Sequence, residues 1–371
     1  MLINKQKFTE GEAMTQREQQ ILGLLEENPM ISQQELAERL GITRSSVAVH
    51  ISNLQKKGHI AGKGYVLRKK AYAVVVGGVN VDIGGRSFGD LVAEDSNPGS
   101  VQVSLGGVGR NIAHNMSLMG VDVRLLTAIG EDLHGQEVAA SCASLGIDLN
   151  HALRLSDAPT STYLYIADPR GEMALAVSDM RICDRITPAY LNSKLPLLEN
   201  ARVIVADANI PAESLAFLAE NCTAPIFCDP VSTIKAEKLL PILGKIHTLK
   251  PNRIEAALLA GVPVETKEQV EKAAEILLQK GVKQVFISCG GDGIYAASAE
   301  ERLWQPILPG ETVNTTGCGD SSMAAIVWSY LEEADLKDTA LAAVAAGAIT
   351  MESTKTINPG MCAETLKARM K

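Results

Sequence analysis

Two hydrophobic periods divide the chain. Between residues 14 and 67 the apolar positions recur at helical spacing: Ile21, Leu22, Leu24 and Leu25, then Leu36, Ala37 and Leu40, then Val47, Ile51 and Leu54. Each run follows a start signal, Thr15 with Glu18, Ser32 with Glu35, and Thr43, and the first two have capping-box spacing. Gly41 predicts a tight turn between the second and third helices. After Gly58 the stretch HIAGKGYVLRKK alternates and turns at Gly62 and Gly64, which predicts a two-stranded wing. The order is helix, helix, turn, helix, hairpin.

From Ala71 the pattern changes to short β-branched runs, each followed by a helical segment: YAVVVGG, VRLLTAIG, RVIVADAN, PIFCDP, IHTLKPN and KQVFISCGG. That alternation predicts an α/β body with a mostly parallel sheet and helices on both faces. Ligands bind at the carboxyl ends of such strands. Asn80, Asp82, Asn209, Asp229, Asn252 and Gly290 fall there. Two segments break the alternation, about 83–104 and 159–178, and are expected to form a β-rich lid outside the main sheet. The expected domains are therefore 1–70 and 71–371.

Composition fits this division: 46% of 371 residues are apolar, enough for a large core, and aromatics are only 4%. Residues 1–70 carry 11 Lys/Arg against 7 Asp/Glu, whereas the remainder carries 24 against 36. Any nucleic-acid contact is thus expected on the head and not on the acidic body. The seven cysteines form no CxxC pair, which argues for reduced thiols. The opening MLINKQKFTEGE has no apolar signal region, and no stretch reaches the ~18 continuous apolar residues of a membrane span, so a cytoplasmic location is expected.

The strongest chemical signal is Val313-Asn-Thr-Thr-Gly-Cys-Gly-Asp320 before the apolar run SSMAAIVWSYLEE. Gly317, Cys318 and Gly319 are expected to expose backbone N–H groups at a helix N-terminus, an anion site. Asp320 beside it is placed to take the proton of an attacking hydroxyl, or simply to favour the helix dipole. Gly106-Gly-Val-Gly-Arg-Asn111 is a second glycine turn before a helix, where Gly106 and Gly107 let a ligand approach and Asn111 offers a donor and an acceptor to a polyol. Neither GxxxxGK[ST] nor a strand-following GxGxxG occurs, which excludes a P-loop and a dinucleotide fingerprint. His114 and His134 read as packing or surface groups.

These two segments, in order and about 200 residues apart, resemble the two signatures of the ribokinase-like (PfkB) kinase family. Three further segments are similar to its landmarks: Gly77-Gly-Val-Asn80-Val-Asp82, Lys250-Pro-Asn252-Arg-Ile-Glu255 and Ser288-Cys-Gly290-Gly-Asp-Gly293. The resemblance implies transfer of the γ-phosphate of ATP to a sugar or nucleoside hydroxyl. It implies Asp320 as base with Gly317, Cys318 and Gly319 as anion hole, and Asn80, Asp82, Gly106, Gly107 and Asn111 around the acceptor. Ser288, Gly290, Gly293 and Thr316 would lie along the nucleotide, and Asn252 and Glu255 would organise Mg²⁺, Glu255 otherwise being a first-turn helix acid. Asn314 stands where the signature usually has Asp, which puts a monovalent-cation site in doubt. The phrases GEMALAVSDM and TINPG look most like the pseudouridine kinase branch, with purine nucleoside or free-sugar kinases as alternatives. Members of the family often pair, so a homodimer is expected.

The head resembles winged helix-turn-helix domains of bacterial regulators. The resemblance places Arg44, Ser45, Ser46 and His50 at the major groove and Lys56, Lys57 and Lys63 on phosphates, unless the head serves protein contacts. A second functional class therefore stands beside the kinase: a transcriptional regulator whose body only senses a sugar or nucleoside.

Overall fold

The computed structural model describes residues 14–60 and 71–371, and the chain divides between Lys70 and Ala71 into two compact units. In the first, helices α1 (Gln16–Glu27), α2 (Gln33–Leu40) and α3 (Arg44–Lys56) close over Ile21, Leu25, Leu36, Val47, Ile51 and Leu54. Thr15 and Glu18 form the reciprocal capping box that their spacing predicts. Ser32 caps α2 alone: Glu35 gives its carboxylate to Arg39 one turn on (2.8 Å), so no second box forms. Gly41 makes the turn in a left-handed conformation at φ +62°. The expected wing, with Lys63, lies outside the described residues.

Glu18 does more than cap. Its side chain is buried (1% exposed) and accepts from the Thr15 N–H at 2.7 Å and the Lys57 ammonium at 2.9 Å. The Thr15 N–H and then Lys57 hold its carboxyl down at about 2. Lys57 is therefore drawn into the head's own packing, which corrects its expected place on a phosphate.

The body's strands are β1 (Tyr72–Val76), β2 (Asn80–Ser87), β3 (Gly99–Gly106), β4 (Asp122–Leu126), β5 (Ala128–Gly130), β6 (Leu153–Leu155) and β7 (Thr162–Ala167). They continue as β8 (Met173–Asp179), β9 (Val203–Asp207), β10 (Ile226–Asp229), β11 (Thr248–Leu249), β12 (Gln284–Ser288), β13 (Ile294–Ser298) and β14 (Arg302–Gln305). Eight of them form one sheet in the order β14-β13-β12-β11-β10-β9-β1-β4, parallel from β4 to β12 and antiparallel at the β13–β14 edge. Strand β1, next to the β4 edge, is wholly buried, and its alternate residues feed two cores. Tyr72, Val74 and Val76 pack with Leu215, Leu239 and Leu277 on one face, and Ala73 and Val75 with Ile112, Met323 and Ala343 on the other. A strand covered on both faces can be apolar throughout, which is why YAVVV shows no alternation.

The lid is a separate four-stranded sheet, β3-β2-β7-β8. It begins earlier than the pattern suggested: β2 starts at Asn80, so Asn80 and Asp82 stand on a lid strand and not at the tip of the main sheet. Only Gly77, Gly78 and Val79 separate β1 from β2, which pins the lid to a wholly buried strand of the main sheet. Among the described residues no helix is long and apolar enough to cross a membrane.

Glu18→Ala, which removes both the box and the ion pair, is expected to destabilise the first unit by about 1–3 kcal/mol. Urea unfolding of the full chain, followed by hydrogen exchange in residues 14–60, measures this; unchanged protection there would contradict it.

Candidate active site

The site forms where β9, the β1–β2 turn and helix α4 (Val108–Leu118) meet. Asp207 ends β9 with no solvent exposure. Its carboxylate accepts from the N–H groups of Gly78 (2.9 Å), Gly109 (2.7 Å) and Asn209 (2.9 Å). Burial nevertheless prevails over these bonds and raises its carboxyl to about 6. A Cβ on Gly109 would approach the Gly77 Cα to 2.9 Å, so the close packing of these turns needs glycine.

The same test gives Gly106 and Gly107, expected to admit a ligand, a reason within the chain to be glycine. A Cβ on Gly106 would lie 2.2 Å from the Asp82 carboxylate, and one on Gly107 (φ +97°) 2.6 Å from the Gly78 carbonyl oxygen. The chain itself fills both spaces. Gly106 thereby leaves room for Asp82, which accepts from the Asn80 amide at 2.6 Å and whose carboxyl burial raises.

The helix Cys318–Leu331 starts from Gly317 at φ +86°, where a Cβ would meet the Thr356 carbonyl oxygen at 2.1 Å. The N–H of Cys318 donates to the Thr315 carbonyl at 3.3 Å and is not free for an anion, which corrects the expectation for that residue. Among the described residues the N–H groups of Gly317, Gly319 and Asp320 have no hydrogen-bond partner. The Lys250 ammonium sits 3.5 Å from where a Gly319 Cβ would stand, adding positive charge at this helix start. Asn314 accepts from the Thr316 N–H (3.0 Å), and Thr316 itself is exposed.

Asp320 receives the side-chain amide of Asn111 at 2.8 Å, which joins the two glycine turns through 209 residues of sequence separation. Burial, then the nearby Asp229 carboxylate, pushes the Asp320 carboxyl up to about 7, against the Asn111 bond and Lys250. Lys250 pairs with Asp229 at 3.2 Å, both nearly buried. Burial alone would lower the Lys250 ammonium; Asp229, Asp320 and Glu255 outweigh it and hold it above its ordinary value. Asp229 also accepts from the N–H of Val231, a β-branched residue at φ +66° in the adjoining turn.

Asn252 and Glu255 cap each other: Asn252 accepts from the Glu255 N–H and Glu255 from the Asn252 N–H, each at 2.9 Å. Glu255 thus acts as the first-turn acid of the helix Arg253–Ala260, with burial raising its carboxyl. A cleft of about 580 Å³ runs from Asp229, Lys250, Asn252 and Glu255 past Ser288, Gly290 and Gly293 to Cys318, Gly319 and Asp320. Its far wall is apolar, from Ile294, Ile307, Leu308, Val344 and Met351. A helix start with open N–H groups suits phosphates, and an apolar wall suits a purine. Among the described residues no three His, Cys, Asp or Glu side chains cluster to hold a metal. The carboxylates present fit a Mg²⁺ carried mainly by phosphate and water.

The remaining expected residues are dispersed. His114 packs inside, burial lowering its ring to about 4, and His134 faces Glu137 at the surface. In the head, Arg44, Ser45 and Lys56 are exposed, His50 is half-buried, and the Ser45 and Ser46 hydroxyls both meet Thr43 at 2.9 Å.

A ribokinase-like sheet with a β lid, and a carboxylate beside unpartnered N–H groups and a lysine, define a phosphotransferase that acts on a hydroxyl. The comparisons agree. The model of the pfkB family carbohydrate kinases matches residues 70–362 and that of winged helix-turn-helix DNA-binding domains residues 14–60. An Escherichia coli protein described as an uncharacterized sugar kinase is 39% identical over 95% of this chain and 98% of its own. The pseudouridine kinase of that organism is 37% identical over 80% of this chain and 95% of its own. A carbohydrate kinase structure from Agrobacterium tumefaciens superposes with TM-score 0.73 at 27% identity, over 81% of this chain and 97% of that one. This chain belongs to the PfkB family of carbohydrate kinases and phosphorylates a sugar or nucleoside hydroxyl.

The Asp320 carboxyl is expected to titrate near pH 7 in the free protein. Asn111→Ala deletes a bond that favours the charged form, so the midpoint should rise. Carboxyl ¹³C NMR reads both; a midpoint near 4 would contradict the burial argument.

Proposed function

We propose that the chain transfers the γ-phosphate of ATP to the 5′-hydroxyl of pseudouridine, with Asp320 as general base. The observation that carries this reading is the Asn111–Asp320 bond beside the open N–H groups of Gly319 and Asp320. It supports a hydroxyl held by the lid and α4 at a carboxylate and a phosphoryl group held at the helix start. The similarity to a pseudouridine kinase over nearly that protein's whole length supports the acceptor.

In this mechanism Asn80 and Asp82 bind ribose hydroxyls and orient the 5′-hydroxyl toward Asp320. As its oxygen attacks the γ-phosphorus, the proton passes to the Asp320 carboxylate and the bond to ADP breaks. The N–H groups of Gly317, Gly319 and Asp320, with Lys250, stabilise charge on the transferred phosphoryl group. Ser288, Gly290, Gly293 and Thr316 border the nucleotide, and its base lies on the apolar wall. Glu255, seated by Asn252, would hold Mg²⁺ through water, and the ion would neutralise phosphate charge. Asn314 brings no charge to a monovalent cation. Closure of the lid excludes the water that would otherwise accept the phosphoryl group.

For the head, the matched DNA-binding family and the exposed Arg44, Ser45 and Lys56 support contact with DNA. A single recognition helix would then require pairing to hold a two-fold operator. Upstream DNA should shift in a gel at low salt and lose affinity steeply as salt rises; no specific shift would leave the head as a protein-contact module.

Asp320→Asn should keep ATP binding while turnover falls by about two or more orders of magnitude. A panel of pseudouridine, uridine, inosine, guanosine, ribose and fructose should give pseudouridine the highest kcat/KM. Near-normal turnover by the variant removes Asp320 as base, and a preference for ribose or fructose removes the nucleoside.

A further inference from the structure

The lid carries a pair of aromatic side chains that none of the roles above uses. In the register of the four-stranded sheet, Asp82 lies opposite Ser104 on β3 and Tyr163 on β7, and Tyr163 opposite Ser178 on β8. The next row on the same face is Gln102, Gly84, Tyr165 and Ala176. Residues directly opposite, and those two apart on one strand, share a face. Tyr163 and Tyr165 therefore stand on the face that presents Asp82, whereas Val101, Val103, Leu164 and Val177 occupy the other.

Gly84 shapes the pair. A Cβ there would come within 2.4 Å of both the Tyr165 ring and its hydroxyl, so the ring of Tyr165 lies across β2 in the space that glycine vacates. Tyr163 is tethered separately, its hydroxyl donating to the Met173 sulfur at 3.4 Å. The ring centroids are 6.0 Å apart with planes inclined by 37°, and both side chains are half-buried. Two held rings, flanked by Ser104, Gln102 and Ser178, make an aromatic surface with polar edges beside a carboxylate suited to a polyol.

We propose that Tyr163 and Tyr165 form a platform for the planar base of a nucleoside and so set the preference for nucleoside over free sugar. This rests on the acceptor reading above and names what discriminates it. A ribose bound by Asp82 with its 5′-hydroxyl at Asp320 turns its C1′ substituent away from Asp320, and the aromatic surface begins one strand from Asp82. A free pentose would have nothing to lay on it. Stacking of a base on an aromatic ring is sequence-tolerant and strong enough to alter affinity by roughly ten- to a hundredfold.

The test is the ratio of kcat/KM for pseudouridine to that for ribose in the full chain. Tyr163→Ala and Tyr165→Ala should each lower this ratio by about tenfold or more, with the KM for ATP within about twofold, and Tyr163→Phe should keep it. Gly84→Val, which displaces the Tyr165 ring without removing it, should lower the ratio as well. Calorimetric titration of each variant with pseudouridine, and its thermal midpoint, separate lost stacking from lost folding. Equal losses on both acceptors, or none, would overturn the platform while the wild-type preference for pseudouridine still stood. Wild-type preference for ribose would overturn the nucleoside reading and the platform together.

Discussion

A carboxylate without access to water must find its hydrogen bonds in the chain, and Asp207 finds three in the places where the acceptor side of the site is assembled. Gly78 leads from β1 into the lid, Gly109 opens α4, and Asn209 follows β9. One side chain thus sets the departure of β2, and with it Asn80 and Asp82, against the helix that carries Asn111. The Asn111–Asp320 bond then passes this geometry on to the second glycine turn. Without Asp207, two N–H groups in glycine-packed turns would face each other's backbone with no acceptor. No side chain at position 78 or 109 supplies a substitute.

The glycines around this carboxylate explain both what the sequence made legible and what it concealed. Short β-branched runs, glycine turns and capping residues pointed to the α/β body, the two phosphate-side turns and the three helices of the head, because each depends on neighbours a few residues away. Gly106, Gly107 and Gly317 were visible as glycines, but their reason was hidden: each makes way for a carboxylate or carbonyl brought from elsewhere in the chain. Asp207 gave no signal at all. In VADAN it reads as the end of a strand, and its partners lie 129 and 98 residues away. Lys57 likewise read as a surface cation on a recognition helix, whereas Glu18, 39 residues earlier, takes it inward.

Charge at the site is lopsided. Asp229, Glu255 and Asp320 all stand near Lys250, which is raised by their company, while Asp320 is raised by burial and by Asp229. Lys250 holds Asp229 directly, and Asn111 supplies Asp320 with a hydrogen bond but no charge. One carboxylate thus has a cation directly on it and the other only an amide, with its carboxyl raised to about 7, a separation of environments that suits two acids with different tasks in one pocket.

That separation has a thermodynamic side. A carboxyl raised in the folded state binds its proton more tightly there than in the unfolded chain, so its contribution to stability is fully present below the unfolded value near 4 and is lost as pH rises through the folded one. For Asp320 the loss spans the interval up to about 7, and for Asp207 up to about 6. These two carboxyls therefore withdraw their stability over the same pH range in which Asp320 becomes able to accept a proton. The strained turn at Val231 adds to this, since a β-branched residue in the left-handed region costs about 1–3 kcal/mol. The large cores on the two faces of the sheet, sharing a strand β1 with no exposed residue, are what allow the site to remain unfavourable in isolation and ready for a ligand.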